Sequence, residues 1–342
     1  MKRVEISLNF MPAFYHKHIG VRYGEAYYFD PSHRAEVERA EGRFLNEALG
    51  RYGVGSRDPE PSANIFIQPL DVVMRTQGAE WRFPEDGCVE SWNTPWETMT
   101  PEGIAKIDAN EAAHHPVIDD ILAEYRVMER MYGNRADVLS ARSGVMNVHT
   151  PYTTAQQLCG EELFVLMLTD PASARVIFDK VWEIYRAIFR RIADTTGAHL
   201  TRVHLGDCAA SMLSRRTYRE VVLPTNRAIA AAFESASYHS CGPSSHLLHD
   251  FALVPNLTYI ELGPGTDLAA STHLMPAARI APLIDPVMVL EADPDRVRDE
   301  VEQIVFATQA SPGVTLCAWS FDRDTPLENV EAIYAAVQSC GG

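Results

Sequence analysis

From about residue 118 onward, short apolar runs alternate with longer stretches in which apolar residues return every three or four positions. That alternation is what parallel strands joined by crossover helices produce. The pattern predicts strands at Val138–Met146, Thr201–Leu205, Ser235–Ser240, Thr258–Ile260, Val287–Leu290 and Val314–Leu316. Helices are predicted over residues 118–132, Thr154–Thr169, Arg216–Glu234, Ser244–Phe251, Asp293–Gln309 and Pro326–Gln338. A longer one runs to about Thr196, with Asp170 as its N-cap and Pro171 in its first turn. Ahead of them, Arg34–Arg51 reads as an amphipathic helix, and the Trp-, Pro- and Gly-rich stretch Trp81–Pro101 as loops or a short hairpin over a pocket. The fold class expected is α/β, a (β/α)8 TIM barrel.

A chain of 342 residues fits one such barrel with decorations. The expected organisation is a single domain over 1–342, with residues 1–60, rich in histidine and aromatic residues, as an N-terminal extension outside the barrel. Formal net charge is −16 with no basic run, which disfavours nucleic acid and anionic membranes as partners. The apolar run Leu163–Leu168 is far shorter than a membrane span, and the N-terminus leads into no signal-peptide core. Six cysteines in a chain of this length are no dense disulfide framework. These features predict a soluble cytoplasmic protein.

Chemistry concentrates at the ends of the predicted strands. His239 and Cys241 stand two residues apart, Glu261 closes Tyr259-Ile260-Glu261, and Cys317 closes Val314–Leu316. All four are zinc-ligand residue types. Alternation along a strand puts His239 and Cys241 on one face, and the carboxyl ends of strands are where a barrel gathers its active site. We therefore read His239, Cys241, Glu261 and Cys317 as a zinc site. Cys88, Cys159 and Cys208 have no partner at ligand spacing and read as packing or surface residues.

The order of several short motifs resembles the uroporphyrinogen decarboxylase superfamily, in particular its zinc-dependent methylcobamide:coenzyme M methyltransferase branch. They are Pro151-Tyr152-Thr153-Thr154-Ala155, Thr169-Asp170-Pro171, Leu205-Gly206-Asp207, His239-Ser240-Cys241-Gly242, Ile284-Asp285-Pro286 and Asp324-Thr325-Pro326-Leu327. The ligand set is also similar to that of cobalamin-independent methionine synthase. The resemblance implies methyl transfer from a methylcobamide, carried by a separate corrinoid protein, to a thiol activated on zinc. It implies Asp207 as a catalytic and substrate-binding residue, with His149 and Tyr152 as further substrate contacts. The alternative is a decarboxylase or other lyase of the same superfamily, built around Asp207. The arginine-rich motif and C-terminal histidine of the true decarboxylases are absent, which argues against porphyrinogen as substrate.

Each assignment has a plainer competitor. Cysteines and a histidine at strand ends can be core residues. Asp207 can cap a helix, and His149 and Tyr152 can pack a loop. His16, His18, His33, His114 and His115 read as packing, and His246 and His249 as an exposed helix face.

Overall fold

The computed structural model describes residues 4–341; Met1–Arg3 and Gly342, the ends of the expected 1–342 domain, lie outside them. Its strands are β1 (Val4–Phe10), β2 (Asn64–Ile65), β3 (Glu80–Arg82), β4 (Glu90–Trp92), β5 (Asp137–Val138), β6 (Val145–His149), β7 (Arg202–Gly206), β8 (Ser235–Ser240), β9 (Leu257–Leu262), β10 (Arg279–Pro282) and β11 (Val314–Phe321). Seven of them form one parallel sheet in the order β6-β7-β8-β9-β10-β11-β1. Sequential neighbours joined by crossover helices, with the first strand placed beside the last, is TIM-barrel connectivity. Among the described residues the sheet is a seven-stranded half-barrel, and β2 pairs with β5 instead of joining it.

Four expectations are corrected. Residues 1–60 are not all extension, because β1 pairs with β11 along Val4–Leu8. Its alternating Val4-Glu5-Ile6-Ser7-Leu8 is a strand signature masked by the aromatic residues that follow. Val287–Leu290 is helical: Asp285 caps the helix Pro286–Glu291 by accepting from Val287 N, and Pro286 occupies its first turn. The strand of that unit is β10, whose Arg279 and Pro282 hide it from an apolar-run criterion. The helix expected over Thr154–Thr169 is two, Pro151–Cys159 and Glu162–Thr169, broken at Gly160, where φ is 70°. The strand expected over Val138–Met146 is likewise two: Val138 ends β5, Leu139 and Ser140 turn the chain at φ 49° and 62°, and β6 starts at Val145. The long helix Pro171–Thr196 capped by Asp170 and the β3–β4 hairpin within the Trp-rich stretch follow the pattern.

The strands alternate in a way that decides where function sits. Met146, Val148, Val203, Leu205, Ala236, Tyr238 and Ile260 are buried in one large core with helix residues Ile177, Val181, Ile184 and Ile188. The opposite positions, Asn147, His149, His204, Ser237, His239 and Tyr259, are only partly buried. The sheet thus buries its apolar face under helices and turns a polar, titratable face inward.

Candidate metal centre

Strand register brings the inner face into rows. His149 is level with Gly206, Gly206 with His239, His239 with Glu261, and Glu261 with Ala281. Cys317 is level with Ser7 on one side and Leu283 on the other. Gly206 leaves room in this row for the His149 ring, since a Cβ there would lie 3.1 Å from His149 Cδ2 and press the ring aside. Just beyond the strands, a Cβ on Gly263 would fall on the carbonyl of Cys241. The missing side chain therefore fixes the path of the Cys241 loop.

His239 is the hub. Its side chain is 12 % exposed, with Nδ1 2.5 Å from Glu261 Oε2 and Nε2 2.8 Å from Cys241 Sγ. Cys208, one residue past Asp207, joins this group: the ligand atoms of Cys208, His239 and Cys241 all lie within 4.8 Å of one another. Cys317 stands apart in the adjoining row, its thiol donating to Thr315 O at 3.5 Å and lying 3.6 Å from Tyr259 Oη. Tyr259 in turn donates to Glu261 Oε1 at 3.1 Å, a link between Cys317 and the carboxylate behind His239. Sequence reasoning missed Cys208. The available signal was that it follows the end of β7 much as Cys241 follows the end of the adjacent β8, although the helical segment 210–231 and the whole of β8 separate them in the chain.

Electrostatics follow from these contacts. A hydrogen bond from Cys208 first, then the bonding and charge of His239, pull the Cys241 thiol down to about 5 against the effect of burial. Burial lowers His239, but Cys241 and Glu261 outweigh it and raise the imidazole to about 9. Cys317 is pushed up to about 12, chiefly by burial. His149 and His204 are lowered to about 4, by burial and then, for His149, by the neighbouring histidines. They are neutral at pH 7. Cys241 and His239 thus favour each other's charged forms, thiolate and imidazolium, beside two histidines whose charged forms burial disfavours.

The donors fit zinc. Two thiols and a ring nitrogen converge within 4.8 Å, and a carboxylate on the far ring nitrogen is the usual support of a metal-binding histidine. In this geometry Glu261 stands behind His239 and orients its ring, with Cys208 at the place among the donors that Glu261 was expected to fill.

The expected substrate contacts separate. His149 faces the polar interior two strands from His239. Asp207 lies on the outer side of the sheet, completely buried, and accepts from Thr150 Oγ1 at 2.8 Å, Thr153 Oγ1 at 3.2 Å, Asn226 Nδ2 at 3.2 Å and the Tyr238 hydroxyl. Tyr152 is also fully buried, against Phe164 and Phe178, with its hydroxyl donating to Ala209 O at 3.3 Å. The polar atoms of Asp207 and Tyr152 are engaged in hydrogen bonds within the fold. Trp319, unassigned from the sequence, stands 42 % exposed with its ring edge-to-face to His239 at 6.4 Å.

Parallel strands in barrel order, with soft donors gathered where strands β7 and β8 end, define a barrel of the kind used by enzymes. The chain belongs to the uroporphyrinogen decarboxylase family, whose description matches residues 72–340. It is 27 % identical over 270 residues to the methylated-thiol–coenzyme M methyltransferase of Methanosarcina mazei, an alignment covering 73 % of this chain and 67 % of that protein. A solved methyltransferase from Methanosarcina mazei superposes with a TM-score of 0.69 at 16 % identity, covering all of this chain and 95 % of the other, a likeness of fold. Family and relatives together support an enzyme. Among the described residues no helix is long and apolar enough to cross a membrane.

Proposed function

We propose that this chain is a zinc-dependent methyltransferase that moves a methyl group to a small thiol, drawing it from a methylated corrinoid on a separate protein. The observation that carries this reading is the convergence of Cys208, His239 and Cys241 at adjacent strand ends, in a family member whose relative is named for methyl transfer to a thiol coenzyme. Zinc bound there supplies a Lewis acid that keeps an acceptor thiol deprotonated near neutral pH.

The chain's own residues would do the rest. Cys208, His239 Nε2 and Cys241 hold the ion. Glu261 keeps the proton on His239 Nδ1, which leaves Nε2 free to donate its lone pair. His149 and His204, neutral at pH 7, line the interior without adding positive charge. Trp319 presents an apolar edge beside His239 where a methyl donor would approach. Asp207 positions strands β7 and β8 from behind, through Thr150, Asn226 and Tyr238. Its burial removes the main support for a lyase built around that carboxylate.

The test is zinc analysis of the purified chain followed by methylcobalamin turnover with a panel of thiols, coenzyme M and homocysteine among them. About one zinc per chain with thiol-dependent demethylation of methylcobalamin is expected. A chain that takes up no zinc on reconstitution would refute the proposal.

A further inference from the structure

A second cavity, of about 300 Å³, opens where β1 and β2 end. Asn9, Phe10 and Met11 contribute from the end of β1, and Phe66, Ile67 and Gln68 from the chain leaving β2. Asn9 follows Ser7, the partner of Cys317, by two residues, so the cavity belongs to the same end of the sheet as the Cys/His cluster. None of the cluster residues lines it.

Its walls are tyrosines and carboxyls. Tyr15, Tyr23, Tyr27 and Tyr28 line it with Glu41 and Asp71. The rings stand steeply to one another, Tyr23 and Tyr27 at 62° with centroids 5.0 Å apart, Tyr27 and Tyr28 at 87° and 5.3 Å. The Tyr23 hydroxyl donates to Glu41 Oε1, and Ser91 Oγ donates to Asp71 Oδ1 at 2.7 Å. Among the described residues no lysine or arginine lines the space. Arg34, behind Tyr27 and Tyr28, is committed to their carbonyl oxygens and to Glu124. Burial with no facing cation raises the Glu41 carboxyl to about 7 and that of Asp71 to about 6.

Ring quadrupoles attract a cation lying over their faces, and a buried carboxylate is costly until a positive charge meets it. A bulky, weakly hydrated organic cation satisfies both kinds of wall at once, whereas a small inorganic ion would leave the rings unused. We propose that this cavity is a binding site for an organic ammonium group, with Glu41 and Asp71 as counter-ions and Tyr15, Tyr23, Tyr27 and Tyr28 as the aromatic enclosure. On a methyl-transferring barrel the ammonium would belong to a substrate lying along the rim, but the binding itself is independent of any metal at His239.

Isothermal titration of the full chain with tetramethylammonium chloride, beside tert-butanol as a neutral molecule of the same shape, tests this. Saturable binding of tetramethylammonium alone is expected, at least tenfold weaker in Glu41→Gln and in Asp71→Asn, and unchanged in His239→Ala. The two carboxyl variants are assayed separately, with thermal melting to confirm folding, so that loss of one to misfolding leaves the other decisive. Equal binding of tert-butanol, equal competition by potassium, no saturable binding, or binding indifferent to a folded carboxyl variant would each overturn the proposal.

Discussion

Two regions at the same end of one sheet are built from opposite chemistry. At the ends of β7 and β8, two thiols and an imidazole crowd together and lower the Cys241 thiol to about 5. At the ends of β1 and β2, hard carboxyl oxygens stand among tyrosines, with no lysine or arginine among the described lining residues, and Glu41 rises to about 7. Burial alone would raise both the thiol and the carboxyl. The difference is the partner: Cys241 has His239 and Cys208, whereas Glu41 has a neutral tyrosine hydroxyl and the like charge of Glu38. The donors differ accordingly: soft thiols and an imidazole suit the zinc proposed at the first region, and carboxyls among aromatic rings suit the organic cation proposed at the second.

The largest effect expected on this contrast comes from Cys241→Ser, which removes a central donor. Zinc should fall from about one per chain to trace levels and methyl transfer by on the order of 100-fold or more, with circular dichroism unchanged. Tetramethylammonium binding at the β1–β2 rim should survive intact. Gly263→Ala comes next. Its Cβ would displace the Cys241 carbonyl, costing about 1–3 kcal/mol of stability by overpacking and weakening zinc retention, both measurable by thermal melts with and without chelator. Glu261→Gln keeps the shape but not the charge behind His239 and should weaken zinc affinity roughly 10–100-fold in a competitive chelator titration.

Proton competition gives a subtler check. In the metal-free chain His239 holds its proton up to about 9, so zinc uptake near neutrality must expel it. Apparent zinc affinity should therefore climb with pH through the neutral range and go on rising past 9, because the Cys208 thiol, pushed up by its bond to Cys241 and by burial, must lose its proton as well. Affinity that stays flat between pH 6 and pH 9 would place the metal away from His239. The smallest effect on the metal belongs to Asp207→Asn. It should cost about 1–3 kcal/mol through the buried hydrogen bonds it disturbs, while zinc content of the folded protein stays at the wild-type level.

Most of the sheet could be read because its strands are short apolar runs ending at distinctive residues, and because the polar inner face still leaves one buried side chain in two. β10 was not, since Arg279 turns inward to pair with Glu5 and breaks the apolar run. The helix Pro286–Glu291 was misread as a strand because its Val and Leu content outweighed the Asp285-Pro286 cap in front of it. At the site, His239 and Cys241 were legible from strand alternation, a local rule. Cys208 was not, because only the pairing of β7 with β8 brings it to Cys241. Cys317 shows the converse limit: its strand end was read correctly, yet the distance from His239 depends on the stagger of neighbouring strands, which spacing along one strand does not encode. Asp207 and Tyr152 matched family motifs, but which face of the sheet receives them is decided by packing.

The central claim is that Cys208, His239 and Cys241 hold the metal and Cys317 stands outside that group. Zinc stoichiometry of Cys208→Ser and Cys317→Ser, measured beside wild type by mass spectrometry on folded protein, tests it most directly. The account predicts about one zinc in wild type and in Cys317→Ser, and little in Cys208→Ser. Zinc retained in Cys208→Ser and lost from Cys317→Ser would contradict it.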